Sequence, residues 1–196
     1  MAARTADNHT ELLDVVDAHN RKVSTAKRRA IHEQGLLHRA VHVIVSDEQH
    51  RVLLQQRSAR KSLAPLGWDL SCAEHLSCDE DYLPAAVRGL HEELGLRVDA
   101  AQLQLLYDVR LQQLVYEKVG MKDNEFVCCY GAVLKGDQLN NVRFDPIEVE
   151  AVKMMPLEEL LVDIQERSDA YTPWFVAMLQ NGTLCFADDQ LAYAIR

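Results

Sequence analysis

Paired cysteines and long apolar runs are both missing from this chain. Its 196 residues include five cysteines, an odd number, and no two of them form a C-x-x-C pair, so a disulfide framework or a zinc ribbon is not expected. No apolar run approaches the roughly 20 residues of a membrane-spanning helix, and the first residues contain no apolar core of a secretory signal. These absences predict a soluble protein of a reducing compartment, with a cytoplasmic location and no membrane partner.

Positive charge is also in short supply. The chain has 21 Lys and Arg against 30 Asp and Glu, which gives a net charge of −9. A chain this acidic is poorly suited to non-specific binding of nucleic acid, so we expect a small-molecule substrate and no nucleic-acid partner. A phosphorylated substrate would then need metal ions or a few placed cations. Composition leaves the oligomeric state open.

Length and hydrophobic content indicate one globular domain. A chain of 196 residues with 48% hydrophobic residues can bury a core without dividing. No internal repeat or linker is present in the sequence. The domain is therefore expected to span 1–196, with its core over about 11–180.

The order of apolar segments predicts an α/β fold. Strands are predicted from β-branched and apolar runs at 11–17, 40–46, 51–58, 103–117 and 125–135. The second and third of these strands are predicted to form a hairpin. Helices are predicted from 81–84 to Gly95, after Pro156 to 167, and over 171–182, with a short helix or loop at 24–35 and a loop at 61–69.

One predicted helix concentrates carboxylates near its end. In "AAVRGLHEELGL" (85–96) Glu92 and Glu93 are adjacent, and position 89 lies on the same face. Neighbouring carboxylates repel each other unless a cation lies beside them, and either Arg88 or a divalent metal such as magnesium would serve. A solvated acidic face is the commoner meaning of such a pair. Gly89 is unexpected here, because a mid-helix glycine costs about 1 kcal/mol against alanine.

The segment around this helix, "EHLSCDEDYLPAAVRGLHEELGL" (74–96), resembles the Nudix box G-x5-E-x7-R-E-U-x-E-E-x-G-U, in which U is aliphatic. The spacing matches, and the two departures are Glu74 in place of the opening glycine and Gly89 in place of a glutamate. The resemblance implies a Nudix fold, which is a mixed β-sheet sandwiched between helices. It also implies a divalent metal, Mg or Mn, held by Glu92 and Glu93 over a diphosphate.

Stretches outside the box resemble one branch of the Nudix superfamily. The segments "EQGLLHRAVHVIV", "VLLQQRSARKSLAPLGWDLSCAEH", "KDNEFVCC" and "YTPWF" are similar to the branch that holds isopentenyl-diphosphate isomerase and its hydrolase-like relatives. In the isomerase three histidines and two glutamates hold one metal, and a glutamate matched by Glu93 helps a second metal to hold the diphosphate. The positions that match the ligands of the first metal are His32, His38, His75, Asp123 and Glu125. Imidazole and carboxylate together suit zinc, manganese or iron-like ions better than magnesium.

The isomerase also needs a proton-transfer cysteine, which this sequence lacks at the matching place. The family's cysteine lies two residues before the matched histidine, where this chain has Ala73. Cys72 is adjacent, but one step along an extended segment turns a side chain to the opposite face unless a bulge returns it. We therefore expect Cys72 to be a small buried apolar residue.

Three functions are compatible with these residues. The preferred one is a metal-dependent Nudix hydrolase that cleaves a diphosphate-linked substrate, with Glu92 and Glu93 as catalytic metal ligands. The first alternative is an isopentenyl-diphosphate isomerase-type enzyme, in which Glu125 is the catalytic proton-transfer group. The second alternative is a degenerate Nudix domain that only binds a phosphorylated ligand.

Candidate substrate-binding residues lie outside the box. Arg57 and Lys61, in "QQRSARK", either bind a diphosphate or belong to an ordinary solvated strand end. Trp174, in "TPWF", either lines the organic pocket, as the resemblance implies, or packs in the core. Four other histidines are expected to be surface or hydrogen-bonded residues, namely His19, His42, His50 and His91.

Overall fold

The computed structural model describes residues 7–195. The strands are β1 Leu12–Val16, β2 Lys22–Lys27, β3 Leu37–Asp47, β4 Arg51–Arg57, β5 Trp68–Asp69, β6 Cys72–His75, β7 Gln104–Tyr116, β8 Met121–Leu134, β9 Val149–Pro156, β10 Gly182–Ala187 and β11 Gln190–Ile195. The α-helices are α1 Arg28–Gln34, α2 Tyr82–Leu94, α3 Gly136–Leu139, α4 Leu157–Glu166 and α5 Pro173–Gln180. No helix in this part of the chain is long and apolar enough to cross a bilayer.

Seven strands form one mixed sheet around β3. β3 runs parallel to β8 and antiparallel to β6, while β7 lies beyond β8 at one edge. β4 pairs with β9 and β5. β3 is buried along almost its whole length, because layers of side chains cover both of its faces. The sheet therefore has a central strand with two chemically distinct sides.

The predicted hairpin of 40–46 with 51–58 is correct only at its tip. β3 and β4 pair at Ser46 and Val52 and then separate. Strand pairing depends on cross-strand packing more than on local preference, and these two buried strands find better partners elsewhere in the sheet. The prediction of a short helix or loop at 24–35 is correct only for its second part, because residues up to Lys27 belong to β2 and the helix begins at Arg28. The terminal hairpin of β10 and β11 was not predicted.

Helices cover both faces of the sheet. On one face, Leu90 and Leu94 of α2 belong to the same apolar cluster as Val43 of β3. On the other face, Phe175 of α5 belongs to a second cluster with Ile44 of β3, and α4 contributes to that cluster as well. Alternation along β3 separates the two clusters, because successive side chains point to opposite faces. The predicted mixed sheet between helices is confirmed.

Helix α2 begins and ends where the sequence predicts. Pro84 lies in the first turn, where its missing N–H leaves no helical bond unmade. Gly95 follows the last residue with φ of 65°, a left-handed conformation that favours glycine, and its N–H donates to the carbonyl of His91. Both ends of the box helix are thus fixed by local signals, and its apolar face packs against the sheet.

Candidate metal-binding cleft

An open cleft of about 660 Å³ lies on the α5 side of the sheet. Its polar part comes from α1, β6 and β8 and includes His32, His75, Asp123 and Glu125. Its other part is more apolar and includes Ala40, His42, Arg57, Leu63, Ala73 and Trp174. The cleft therefore places ionisable groups beside an apolar and aromatic wall.

Strand register brings residues distant in sequence to one side of the sheet. In the parallel β3–β8 pair His38 lies opposite Glu125. In the antiparallel β3–β6 pair Ala40 lies opposite His75. Residues two apart on a strand share a face, so His38, His75 and Glu125 lie on the same side. His32 joins them from α1, which packs beside β8.

These four residues form a compact donor group, called the histidine group below. His32, His38, His75 and Glu125 are buried, and each offers a ligand atom within 4.8 Å of the others. The Nε2 atoms of His38 and His75 lie 3.3 and 3.2 Å from Glu125 Oε1. Asp123 is outside the group, but its Oδ1 lies 3.0 Å from Nε2 of His32. All five positions matched to the first metal therefore lie close together.

Backbone carbonyls orient two of the imidazoles. Nδ1 of His32 lies 2.7 Å from the carbonyl oxygen of Arg28, and Nδ1 of His38 lies 3.0 Å from that of Leu36. A ring whose Nδ1–H donates to a carbonyl presents its Nε2 lone pair on the opposite side. This is the usual arrangement of a metal-ligating histidine.

Two buried polar atoms at this place have no hydrogen-bond partner within residues 7–195, namely His38 Nε2 and Asp123 Oδ1. An unsatisfied buried polar atom costs about 1 to 3 kcal/mol, so two of them in one place indicate room for a ligand that satisfies both. Imidazole nitrogens with carboxylate oxygens suit zinc, manganese or iron-like ions. The residues present therefore fit a divalent cation.

Burial and mutual contact set the protonation of the histidine group. Burial lowers the pKa of His75 well below its ordinary value, so this ring is neutral. Burial tends to raise the pKa of Glu125, but close contacts with the imidazoles of His38 and His75 outweigh it and hold this pKa well below its usual range. A neutral imidazole and an ionised carboxylate are the forms that bind a metal.

Arg88 ties the loop of the box to helix α2. Its guanidinium donates to both carboxylate oxygens of Glu80 at 2.9 and 2.8 Å and to the carbonyl of His75 at 2.9 Å. Its Nη1 donates to Glu92 at 2.9 Å. The side chain of Glu92 is 54% exposed and is not part of the histidine group. The structure thus places Glu92 on the outer side of α2, paired with Arg88.

Glu93 is buried on the inner side of α2. Its Oε2 accepts a hydrogen bond of 2.7 Å from the side-chain amide of Gln55. Burial, assisted by the nearby charge of Glu74, raises the pKa of Glu93 to about 8. A carboxylate in such a setting favours a proton or a cation as its neighbour. Glu93, unlike Glu92, is therefore placed where a cation would be stabilising.

The neighbours of Gly89 explain the missing side chain. A Cβ atom at this position would lie 2.7 Å from Cys72 Sγ, which is too close, and 3.1 Å from Glu74 Cβ, which is a tight contact. Glu74 extends into the space beside α2, where its carboxylate lies 3.3 Å from Nη1 of Arg88. The two departures from the box are therefore in contact, and a carboxylate from β6 lies beside the position where the helix lacks one.

The alternation of β6 separates Cys72 from the cleft. β6 pairs with β3 in unbroken register, with Cys72 opposite Val43 and Ala73 opposite His42. Cys72 is fully buried in the cluster that includes α2, whereas Ala73 lines the cleft. Burial raises the pKa of the Cys72 thiol well above its ordinary value. The expectation that Cys72 is a buried apolar residue turned away from Ala73 is confirmed.

Arg57 and Trp174 lie together on the cleft wall. The guanidinium carbon of Arg57 is 4.9 Å from the centroid of the Trp174 ring, within the range of a cation–π contact. The indole N–H of Trp174 donates to Asp69 at 2.8 Å. Trp174 is only 7% exposed but lines the cleft, so it belongs both to the core and to the cleft wall.

Lys61 is not on the cleft wall. Its ammonium group is paired with Glu148, with Asp7 at 3.9 Å, and only 7% of its side chain is exposed. A buried ammonium with its own carboxylates has little charge to offer a diphosphate. The structure does not support the predicted substrate contact of Lys61.

Two residues that contribute to the cleft were not predicted as functional. His42 lines the cleft floor, and its Nδ1 lies 3.4 Å from the hydroxyl of Tyr107. Asp69 is fully buried and contacts both Trp174 and Arg57. The alternation of β3 could have indicated His42, since it lies four residues after His38 on the same face. No local signal marked Asp69, whose contacts come from separate elements.

Comparison with known proteins agrees with the fold and the box. The NUDIX domain family matches residues 36–175. The chain is 30% identical to isopentenyl-diphosphate Delta-isomerase 2 of Aromatoleum aromaticum over 172 residues, which are 87% of this chain and 86% of that protein. It is 34% identical to Nudix hydrolase 3 of Arabidopsis thaliana over 169 residues, which are 85% of this chain but 22% of that protein.

A solved structure supports the same fold. The crystal structure of DR0079 from Deinococcus radiodurans superposes with a TM-score of 0.67 at 23% identity, covering 87% of this chain and 98% of that one. At this identity the likeness bears on the fold alone. The family match covers most of the chain and includes the box helix, the histidines of β3 and β6, and Glu125. This chain belongs to the NUDIX domain family.

Proposed function

We propose that this protein is a metal-dependent hydrolase that cleaves a diphosphate linkage in a small molecule. The observation that carries the proposal is the pair Ala73 and Cys72. Ala73 lines the cleft and has no proton to transfer, and Cys72 is fully buried on the opposite side of β6. A double-bond isomerisation needs an acid and a base on opposite faces of its substrate, whereas hydrolysis does not need a group at 73.

The histidine group supports a metal-dependent reaction. His32, His38, His75 and Glu125 would hold a divalent cation, with Asp123 beside them. A cation held there supplies Lewis-acid polarisation of a phosphate oxygen. The protein's own contribution is to hold three imidazoles and an ionised carboxylate in a buried place, where electrostatic interactions are strong.

Carboxylates beside α2 support a place for the diphosphate. Glu93 is buried near Glu74, and Gln55 orients its carboxylate. Burial and the charge of Glu74 disfavour an ionised Glu93, and the cation of a metal–diphosphate complex would offset this cost. Glu74 thereby compensates for the carboxylate that Gly89 removes from the helix. This role for Glu74 and Glu93 is part of the proposal.

The apolar part of the cleft supports an organic group on the substrate. The Trp174 ring, with Ala40, Leu63 and Ala73, offers an apolar surface, and Arg57 adds a cation at its edge. A guanidinium beside an aromatic face can bind phosphate oxygens while the ring packs on an organic group. We therefore propose a substrate that joins a diphosphate to an organic group.

An isomerase remains the second candidate, and one observation favours it. His42 lies opposite Ala73 in the β3–β6 register and lines the cleft, so an imidazole stands beside the position where the isomerase has its cysteine. Relatives named isopentenyl-diphosphate isomerase match most of this chain. If His42 transferred the proton, Ala73 would not exclude this chemistry.

A substrate panel separates these candidates. The purified protein is incubated with magnesium or manganese and a range of diphosphate-linked compounds, and the release of phosphate or phosphomonoester products is measured. In parallel, isopentenyl diphosphate is incubated in deuterated water and deuterium incorporation is followed. We expect metal-dependent hydrolysis without rapid deuterium incorporation. Rapid incorporation that is lost in His42→Phe would favour the isomerase, and tight binding without either reaction would indicate a binding domain.

A further inference from the structure

Asp69, at the end of β5, is a fully buried carboxylate behind the cleft wall. Its Oδ1 accepts hydrogen bonds from the Leu70 N–H at 2.9 Å, the Thr172 hydroxyl at 2.8 Å and the Trp174 indole at 2.8 Å. Its Oδ2 lies 3.1 Å from the same indole nitrogen and 3.5 Å from Nη1 of Arg57. Both oxygens are therefore engaged by residues from three separate segments.

A charged residue is costly at this position. Burial raises the pKa of Asp69, and removing a carboxylate from water carries a large desolvation penalty. The carbonyl oxygen of a neutral asparagine would also accept hydrogen bonds from an indole and a hydroxyl. The contact that specifically requires a carboxylate is the one with the cation of Arg57.

Arg57 is held on three sides. Nη1 faces Asp69, Nε donates to the carbonyl of Leu63 at 3.1 Å, and the guanidinium lies over the Trp174 ring. Only 12% of the side chain is exposed. Among residues 7–195 no hydrogen bond engages Nη2, although a guanidinium has five N–H donors. Donors therefore remain for an anion in the cleft.

We propose that Asp69 is a positioning residue that holds Arg57 and Trp174 as one rigid unit of the cleft wall. Held in this way, the guanidinium meets a phosphate oxygen without first losing the freedom of a long side chain, and the indole keeps one orientation toward the organic group. Preorganisation of this kind improves binding by reducing the entropy lost on association. The inference rests on the proposed function, in which Arg57 contacts the diphosphate.

Trp174 provides a direct measurement of this unit. The chain has two tryptophans, so Trp68→Phe leaves Trp174 as the only one. In that background we compare the parent with Asp69→Asn, Arg57→Met and the double variant. Each protein is titrated with inorganic pyrophosphate at fixed manganese while Trp174 emission is recorded. Hydrolysis of the best substrate from the panel is measured on the same proteins.

Asp69→Asn keeps the shape of the side chain and the indole hydrogen bond but removes the charge. We expect the Kd for pyrophosphate and the KM to rise about tenfold, while kcat changes less than about threefold. The double variant is expected to bind no worse than Arg57→Met alone, because Asp69 acts through Arg57. Two results would overturn the proposal. One is a Kd in the double variant that rises by the product of the two single-variant increases, and the other is a Kd within about twofold of the parent in Asp69→Asn.

Thr172→Val is the matched control. It removes another hydrogen bond to Asp69 but leaves Arg57 and the carboxylate in place, so we expect lower stability and a Kd within about twofold of the parent. If Asp69→Asn does not fold, Asp69→Ser replaces it in the same titrations. If pyrophosphate binding depended on Asp69 but no substrate were hydrolysed, the proposed function would be wrong and this inference would stand. If hydrolysis occurred and were unchanged by substitution of Asp69, this inference would be wrong and the proposed function would stand.

Discussion

The histidine group and the box helix were both matched to metal binding, and they differ in how they are built. In the histidine group every matched side chain is present, and four separate elements, α1, β3, β6 and β8, bring the donors within 4.8 Å of one another. In the box helix the signature has changed at two positions, Glu74 and Gly89, which lie in contact. Strand register brings together most of the first region, whereas close packing between α2 and β6 determines the geometry of the second.

The difference shows what a motif can and cannot locate. The box spacing correctly places α2 and its end at Gly95. It does not show how the carboxylates are paired, because Arg88 contacts both Glu92 of α2 and Glu74 of β6. Donor groups are therefore better judged from burial and contact than from the pattern alone.

The largest expected effect tests the histidine group. Glu125→Gln removes the carboxylate that faces both His38 and His75. Mutating groups that only support metal ligands already costs about 10- to 100-fold in metal affinity or activity, so loss of a direct carboxylate ligand should lower metal-dependent activity roughly 100-fold or more. Activity and bound metal are measured together. Glu117→Gln, an exposed glutamate between β7 and β8, is the control, and equal metal content in both variants would remove Glu125 from the metal site.

The next effect concerns His42, which shares the cleft but not the histidine group. Burial lowers the pKa of His42 from 6.5 to about 4. In the unfolded chain His42 becomes protonated below about pH 6.5, whereas in the folded chain it stays neutral down to about pH 4. Stability is therefore lost as the pH falls through this window. The shift corresponds to at most about 3 kcal/mol.

Urea unfolding of the chelator-treated protein between pH 7 and 4 measures this effect. We expect His42→Gln to show a shallower loss of stability with falling pH than the parent, whatever its stability at pH 7. His91→Gln, at an exposed position of α2, should keep the parental slope. An unchanged slope in His42→Gln would mean that another group is responsible for the acid sensitivity.

Substitution of Gly89 tests the close packing between α2 and β6. On spacing alone, a carboxylate at 89 would join Glu92 and Glu93 on one face of α2. Contact with Cys72 Sγ at 2.7 Å instead predicts that Gly89→Ala destabilises the protein by about 1 to 3 kcal/mol, and that Gly89→Glu gains no activity. Gly136→Ala is the matched control, because a Cβ there meets nothing within 4 Å. Cys72→Ala should recover part of the loss in the double variant, and additive effects would contradict the contact.

Local sequence predicted what local interactions determine. The bounds of α2 follow from its helix signals, and the opposite faces of Cys72 and Ala73 follow from strand alternation. The pairing of His38 with Glu125 could be inferred only through family resemblance, because a parallel register is set by the whole sheet. The burial of Lys61 beside Glu148 depends on the loop before β9 and has no signal near Lys61 itself.

The smallest expected effect separates the two adjacent glutamates of the box. Glu92 is half-exposed and paired with Arg88, whereas Glu93 is buried and bonded to Gln55. An exposed ion pair contributes about 0.2 to 1 kcal/mol, so Glu92→Gln should change activity less than about fivefold and slightly lower stability. Glu93→Gln, made in parallel, should lower activity about tenfold or more at limiting metal. Metal titrations of both variants provide the comparison. If Glu92→Gln lost as much activity as Glu93→Gln and recovered it at high metal, Glu92 would be a metal ligand, as the box pattern predicts, and its contact with Arg88 would have to open when the metal binds.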